Sequence, residues 1–237
     1  MKKTLAIVLA LVMVLSFAAC GEKKVDYSAK SEGVMTYAQY DAAKVDDKVT
    51  VEVFVQAHQS WWDNSITIYA ADPDGGYFIY NCQCAEADAE KLVPGTKIKV
   101  VGYKSEWSGE VEIVDGTFEF CEEGSGYIAQ PVDVTSALGT DGLIKYQNQF
   151  VAIKGMKVEG PALYKWDGSG QQGDDLYFNV SKDGNTYSFT VESYLCDKNT
   201  EVYKAIEALK GGETVDLEGF CYWYEGVQPH ITSVTVK

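Results

Sequence analysis

The chain has 237 residues, with 35 Asp plus Glu against 20 Lys and no Arg, for a net charge of −15. Phosphate backbones are held by clustered cations, and bases are most often read by bidentate Arg or Lys, so an acidic, arginine-free chain sets nucleic acid last among expected partners. The same charge argues against adsorption to anionic membrane surfaces and for a well-solvated exterior.

Taken in order, Met1-Lys2-Lys3 is a positive start, Leu5 to Leu15 an apolar run too short for a stop-transfer span, and Phe17-Ala18-Ala19 a small-residue cleavage site. With Cys20 directly after it, this stretch resembles a bacterial lipoprotein signal. The resemblance implies a removed peptide (1–19), lipidation at Cys20 and an extracytoplasmic, membrane-anchored chain. Phe17 departs from the Leu usual there. The mature charge would be −17, since Lys2 and Lys3 leave with the peptide. Residues 20–35 read as a polar tether.

Thr36 to Ala43 reads as a short helix with Tyr37, Tyr40 and Ala43 on one side. From Lys48 the period becomes two, Val49, Val51, Val53 and Val55 alternating with polar positions, which predicts a half-buried strand. A loop, His58 to Asn64, follows. Ile66, Ile68 and Ala70 mark a second strand, Asp72-Pro73-Asp74-Gly75 a turn, and Tyr77 to Asn81 a third strand. Ala85 to Leu92 is predicted helical, ended by Pro94-Gly95. Thr96 to Lys104 and Glu110 to Phe120 are two more strands around a Ser105–Gly109 turn. Residues 122–145 form a joint, and the series then recurs: strands over Phe150–Val158, Leu176–Val180, Tyr187–Val191, Thr214–Tyr222 and His230–Val236, with a helix over Thr200–Lys210 before the last two.

The recurrence is a duplication. At a shift of 117, Leu92 falls on Leu209, Gly95 on Gly212, Gly102 on Gly219, Trp107 on Tyr224 and Gly109 on Gly226, without a gap. At a shift of 110, Ile66 falls on Leu176, Ile68 on Phe178, Tyr77 on Tyr187 and Ile79 on Phe189. A period this long is a doubled domain rather than a solenoid. The expected class is mainly β. Each copy, 36–121 and 146–237, has the order strand, strand, strand, helix, strand, strand. It resembles the OB-fold, a five-stranded Greek-key barrel with a helix between strands three and four. Together with the leader, two such modules resemble uncharacterised bacterial surface lipoproteins, a likeness that brings no activity with it. A tandem immunoglobulin-like sandwich would need about seven strands per copy.

Five cysteines remain beyond Cys20: Cys82, Cys84, Cys121, Cys196 and Cys221. The Cys82-Gln83-Cys84 spacing is not that of a zinc knuckle, and neither metal nor cofactor is expected. In the OB topology strands three and five are parallel neighbours, which implies a disulfide from Cys121 to Cys82 or Cys84.

All five tryptophans fall in two kinds of loop. Trp61, Trp62 and Trp166 lie between strands one and two, and Trp107 and Trp223 between strands four and five. In OB-folds these loops flank the ligand face of strands two and three. That face in the first copy adds Tyr69, Phe78 and Tyr80, whereas Ser188 and Thr190 replace the latter two in the second, so the first copy is the better binding candidate. Rigid aromatics beside Asp63 and Asn64, with no cation, suit a neutral, hydroxyl-rich polymer such as a glycan. The same tryptophans also fit a plug over the barrel ends. His58 and His230 occupy non-equivalent places, and no Gly-x-Ser-x-Gly, phosphate loop or His–Glu–His spacing appears. The expectation is thus a non-catalytic glycan-binding module, with a protein-interaction subunit of an envelope assembly as the alternative and nucleic-acid binding third.

Overall fold

A computed structural model describes residues 25–237. The signal-like stretch and Cys20 lie outside the described residues. Residues 25–35, read as tether, lie against the first barrel: Tyr27 packs edge-on to Phe54 and Lys30 pairs with Asp72 at 2.6 Å. Helix α1 (Tyr37–Ala42) follows, opened by a reciprocal capping box between Thr36 and Gln39.

The first barrel is β1 (Lys48–His58), β2 (Ser65–Asp72), β3 (Gly75–Gln83), helix α2 (Glu86–Ala89), β4 (Lys97–Trp107) and β5 (Glu110–Phe120). It closes in the order β1-β2-β3-β5-β4, with β3 and β5 parallel. Val49, Val51, Val53 and Val55 all point into its core beside Ile66, Ile68, Tyr77, Ile79 and Ile113. Helix α2 is only four residues long, shorter than the predicted Ala85–Leu92. The turn between β4 and β5 is tighter than expected, only Ser108-Gly109, both at positive φ (52° and 91°). Two left-handed residues match the twist of a hairpin, and they put Trp107 at the end of the strand, opposite Glu110.

A joint with strand β6 (Val132–Asp133) and two 3₁₀ turns (Thr135–Ala137 and Asp141–Tyr146) leads to the second barrel. Its strands are β7 (Phe150–Val158), the short β8 (Leu163–Tyr164), β9 (Leu176–Lys182), β10 (Asn185–Val191), β11 (Thr214–Phe220) and β12 (His230–Val236), with helix α3 (Glu201–Ala208) before β11. The order β7-β11-β12-β10-β9 closes through a β7–β9 pairing, so β7, β9, β10, β11 and β12 repeat β1 to β5. The two tandem OB-like barrels of the sequence reading are therefore present. Thr200 caps α3 through Tyr203 N–H, and Gly211 and Gly212, both at positive φ, turn the chain out of it.

The expected disulfide is not formed; all five described cysteines are free thiols. The register explains it. β3 and β5 pair with Gln83 opposite Thr117. Cys121 is four residues further on, where its N–H bonds Lys97 O at 3.0 Å on β4 instead.

Candidate ligand-binding site

The two barrels are packed together, and this contact decides which aromatics are open. Tyr69 on β2 and Phe78 on β3, 2 % and 3 % exposed, are covered by Phe220 of the second barrel. Tyr69 stacks on Phe220 with centroids 4.6 Å apart, and Tyr222 meets Phe78 edge-on at 5.2 Å. Around this patch, Ser60 N–H donates to Tyr194 O, Asn148 Nδ2 to Val111 O and Gln147 Nε2 to Gly109 O, at 2.7–2.8 Å. Gly76 is required here, since a Cβ would stand 2.2 Å from Asn148 O.

The expected groove over the first barrel is therefore closed. Tyr80 stays partly exposed beside the contact. Trp61 packs against the first core and its Nε1 donates to Cys84 O at 2.9 Å, so it is a structural residue. Trp62 is exposed, but it sits at a turn whose central residues, Asp63 and Asn64, take left-handed φ of 46° and 60°. These four residues do not converge with the other tryptophans on one surface.

Trp107 and Trp166 do converge, from different barrels, on a cavity of about 530 Å³ whose floor is the second barrel. The register builds that floor. Antiparallel pairing sets Tyr177 opposite Thr190, and parallel pairing sets Thr190 beside His230. Tyr177, Thr190 and His230 thus form a row across β9, β10 and β12, on the face opposite the core residues Leu176, Phe178, Phe189 and Val191. This is the second copy's version of the OB ligand face, so the preference for the first copy is reversed. Tyr222 stacks on His230 at 4.1 Å, and Tyr224 packs on Trp107 at 5.1 Å.

Among the polar groups, the two that can carry a negative charge are Asp175 and Glu192. Asp175 Oδ1 accepts from Ser193 N–H and Oγ–H, and Glu192 Oε2 accepts from Leu195 N–H. Burial, with Asp175 close by, pushes the Glu192 carboxyl up to about 7. Burial drives His230 down to about 3, so its imidazole is neutral. Its Nδ1 lies 2.6 Å from Tyr69 Oη. That hydroxyl accepts from Gln59 Nε2, and Nδ1 is the one acceptor among the described residues for its own proton, so the tautomer that satisfies both has Tyr69 donating to Nδ1 and His230 protonated on Nε2. Thr190 Oγ1 is buried and, among the described residues, has no hydrogen-bond partner. Among the described residues no lysine lines the cavity.

Trp223 lines a different cavity between the barrels, with Tyr37, Tyr40, Gln147 and Asn148. Beneath it Glu110 is fully buried. Its Oε2 accepts from Trp223 N–H at 2.8 Å and from Gln147, its Oε1 has no partner, and burial pushes the carboxyl up to about 8. Taken alone, the spacing of Glu106, Glu110 and Glu112 along the hairpin would put Glu110 on a solvated face. Burial against the second barrel overrides that alternation.

Asp175, Tyr177, Thr190, Glu192, Tyr222, Tyr224, Gln228 and His230 were not among the expected site residues. A signal existed for Tyr177, an aromatic on the outward phase of β9, and for Tyr224, the repeat partner of Trp107. For Asp175 and Glu192 there was none, because carboxylates at strand ends are ordinary turn residues. Among the described residues no group of three or more His, Cys, Asp and Glu comes together to hold a metal ion.

No protein-family model matches the chain, and no curated protein sequence does. Solved structures similar to it include a murine DNA-binding protein bound with double-stranded DNA (12% identity over 79% of this chain and 94% of that one, TM-score 0.37). They also include the p204 HINb domain (10% identity, 82% and 100% covered, TM-score 0.37). A replication protein A heterotrimer bound to single-stranded DNA matches at 10% identity over 83% of this chain and 51% of that one, with TM-score 0.33. The neutral glycan as favoured ligand is corrected on the geometry of the first barrel, and the placing of nucleic acid last among partners is withdrawn, since two of these similar proteins are bound to DNA. The polymer groove on which the glycan reading relied is closed by the second barrel.

Proposed function

We propose that this chain is a non-catalytic binding module of OB type that takes a flat heteroaromatic ring, of which a nucleobase is the type, in the slot of its second barrel. The observation that supports it is the convergence of Trp107 and Trp166 from two barrels over the Tyr177–Thr190–His230 row. Aromatic walls hold a ring by stacking, at ~1–3 kcal/mol per base. The unpartnered Thr190 hydroxyl, the Gln228 amide, the His230 imidazole and two carboxylates offer edges for its N–H and carbonyl groups. A slot of this volume takes one or two rings, displayed on a single strand or free in solution.

Calorimetric titration of the protein with nucleosides and with a single-stranded oligonucleotide tests this. Saturable heat with either, lost in Trp166→Ala while the circular dichroism spectrum is kept, is expected. No heat with any nucleoside or strand overturns the reading. A strand that binds where nucleosides do not would move the site from the slot to a longer surface.

The extracytoplasmic, lipid-anchored location is a second proposal, supported by residues 1–20 alone. Fatty-acid labelling that persists in Cys20→Ala would remove it.

A further inference from the structure

The slot has an electrostatic character that a neutral base does not need. Its walls are the rings of Trp107, Trp166, Tyr177, Tyr222 and Tyr224, whose faces carry the negative end of the ring quadrupole, and its charged groups are Asp175 and Glu192. His230 is neutral, and among the described residues no lysine lines the cavity to pair with either carboxylate. Of the two, Asp175 is partly compensated by Ser193 and Glu192 by one backbone N–H. Aromatic faces attract cations through their quadrupole, more strongly where water is excluded. Two carboxylates beside such faces add a directional anchor, because a charged N–H donor or ring is favoured where a phosphate would be repelled.

Thr190 supplies an independent pointer to a ligand. It is 2 % exposed, its Oγ1 has no partner, and it stands on the outward phase of β10 at the floor of the slot. A buried hydroxyl without a partner costs free energy unless a guest or solvent meets it.

We propose that the slot selects flat, cationic nitrogen heterocycles, a pyridinium or an N-alkylated purine, with the ring against the tryptophans and its charge beside Asp175 and Glu192. This rests on the ring-binding reading above and narrows it to a charge class.

The test pairs ligands that differ by one ring N-methyl group and the positive charge it fixes: 1-methylnicotinamide against nicotinamide, and 7,9-dimethyladeninium against 9-methyladenine. Each is titrated into the full protein by calorimetry at pH 8, where Glu192 is mostly ionised. The expected result is a preference for the cation of each pair of about tenfold or more. Glu192→Gln should bring the cation's affinity down towards that of its neutral partner. Should that variant fail to fold, Asp175→Asn serves, since an amide oxygen can still accept from Ser193. Equal affinity within each pair overturns the charge selection and leaves ring binding standing. Absence of heat with all four overturns both.

Discussion

Trp107 and Tyr224 hold equivalent positions in the two copies of the duplicated sequence, and they pack on each other with ring centroids 5.1 Å apart at a 41° tilt. Their hairpins are joined as well, Glu225 N–H donating to Ser108 O at 2.8 Å. The likeness between the barrels ends a few residues away. Tyr69 stacks on Phe220, whereas the repeat partners of those two residues, Asn179 and Tyr103, are both exposed. This break in symmetry is what closes the ligand face of the first barrel and leaves that of the second open.

The tryptophans are expected to separate by role. Trp107 and Trp166 are 54 % and 76 % exposed, so alanine at either should change stability by about 0.5 kcal/mol or less while abolishing ligand heat. Trp61→Phe removes the hydrogen bond to Cys84 O and should cost about 1 kcal/mol with ligand affinity kept. Denaturant midpoints and calorimetry on the three variants check both halves. Ligand heat lost in Trp61→Phe alone would return the site to the first barrel.

Most of the architecture was legible because it rests on local chemistry. The valine alternation of β1 and the Thr36 and Thr200 caps are read directly from residue type. So are the repeated glycines, whose role is bending the chain. Gly102 and Gly219 sit at register shifts where a Cβ would fall 2.6 Å from Ile113 Cγ2 and 2.2 Å from His230 O. Gly95, Gly212, Gly109 and Gly226 all take positive φ. The duplication therefore marked bends rather than the site. The site itself was only partly legible, because it depends on how one barrel meets the other. Nothing in the alternation of Tyr69 and Phe78 distinguishes a face covered by ligand from one covered by Phe220 and Tyr222.

Tyr69→Phe tests that contact. The hydroxyl is the partner of a buried, neutral imidazole. Its loss leaves His230 Nδ1 without a donor, at a cost of roughly 1–3 kcal/mol. Because Tyr222 stacks on the same ring, the slot floor should loosen too, with ligand affinity falling together with the denaturation midpoint. A variant as stable as the parent would mean that solvent replaces the hydroxyl.

Residues 25–35 are expected to contribute to the first barrel's stability through Lys30. Its Nζ donates to Asp72 Oδ2 at 2.6 Å and to Glu52 O at 2.8 Å, with both partners of the ion pair buried. Asp72 retains Tyr77 Oη–H and the N–H groups of Asp74 and Gly75 as donors. Lys30→Met should therefore cost about 3 kcal/mol, the low end for breaking a buried pair. Lys99→Met, which breaks the exposed pair with Glu119, should cost less than about 1 kcal/mol. Equal midpoints for the two variants would remove the distinction.

Stability should peak in acid, for a reason that can be assigned to named groups. Glu110 ionises near 4.5 when unfolded and near 8 when folded, raised by burial, so between those values the folded state holds the extra proton. Its contribution is complete below 4.5 and is lost as pH rises through about 8. Glu192 acts in the same sense, losing its contribution through about 7. His230 acts in the opposite sense: it protonates near 6.5 unfolded but near 3 folded, so acid below 6.5 favours unfolding through this residue. Between 4.5 and 6.5 the two carboxyls outweigh the imidazole, and below 4.5 the imidazole acts in the same sense as carboxyls that the fold holds low, such as Asp133 at about 2 and Glu52 beside Lys97, which places the optimum near 4.5. Glu110→Gln keeps an acceptor for Trp223 N–H and removes one ionisation. It should flatten the fall from 4.5 to 8, worth of order several kcal/mol in the parent, and leave the acid limb as it was. Denaturant midpoints measured across this range decide it. An unchanged alkaline slope in Glu110→Gln would mean that Glu110 is already ionised in the folded protein, with a cation or solvent reaching its Oε1.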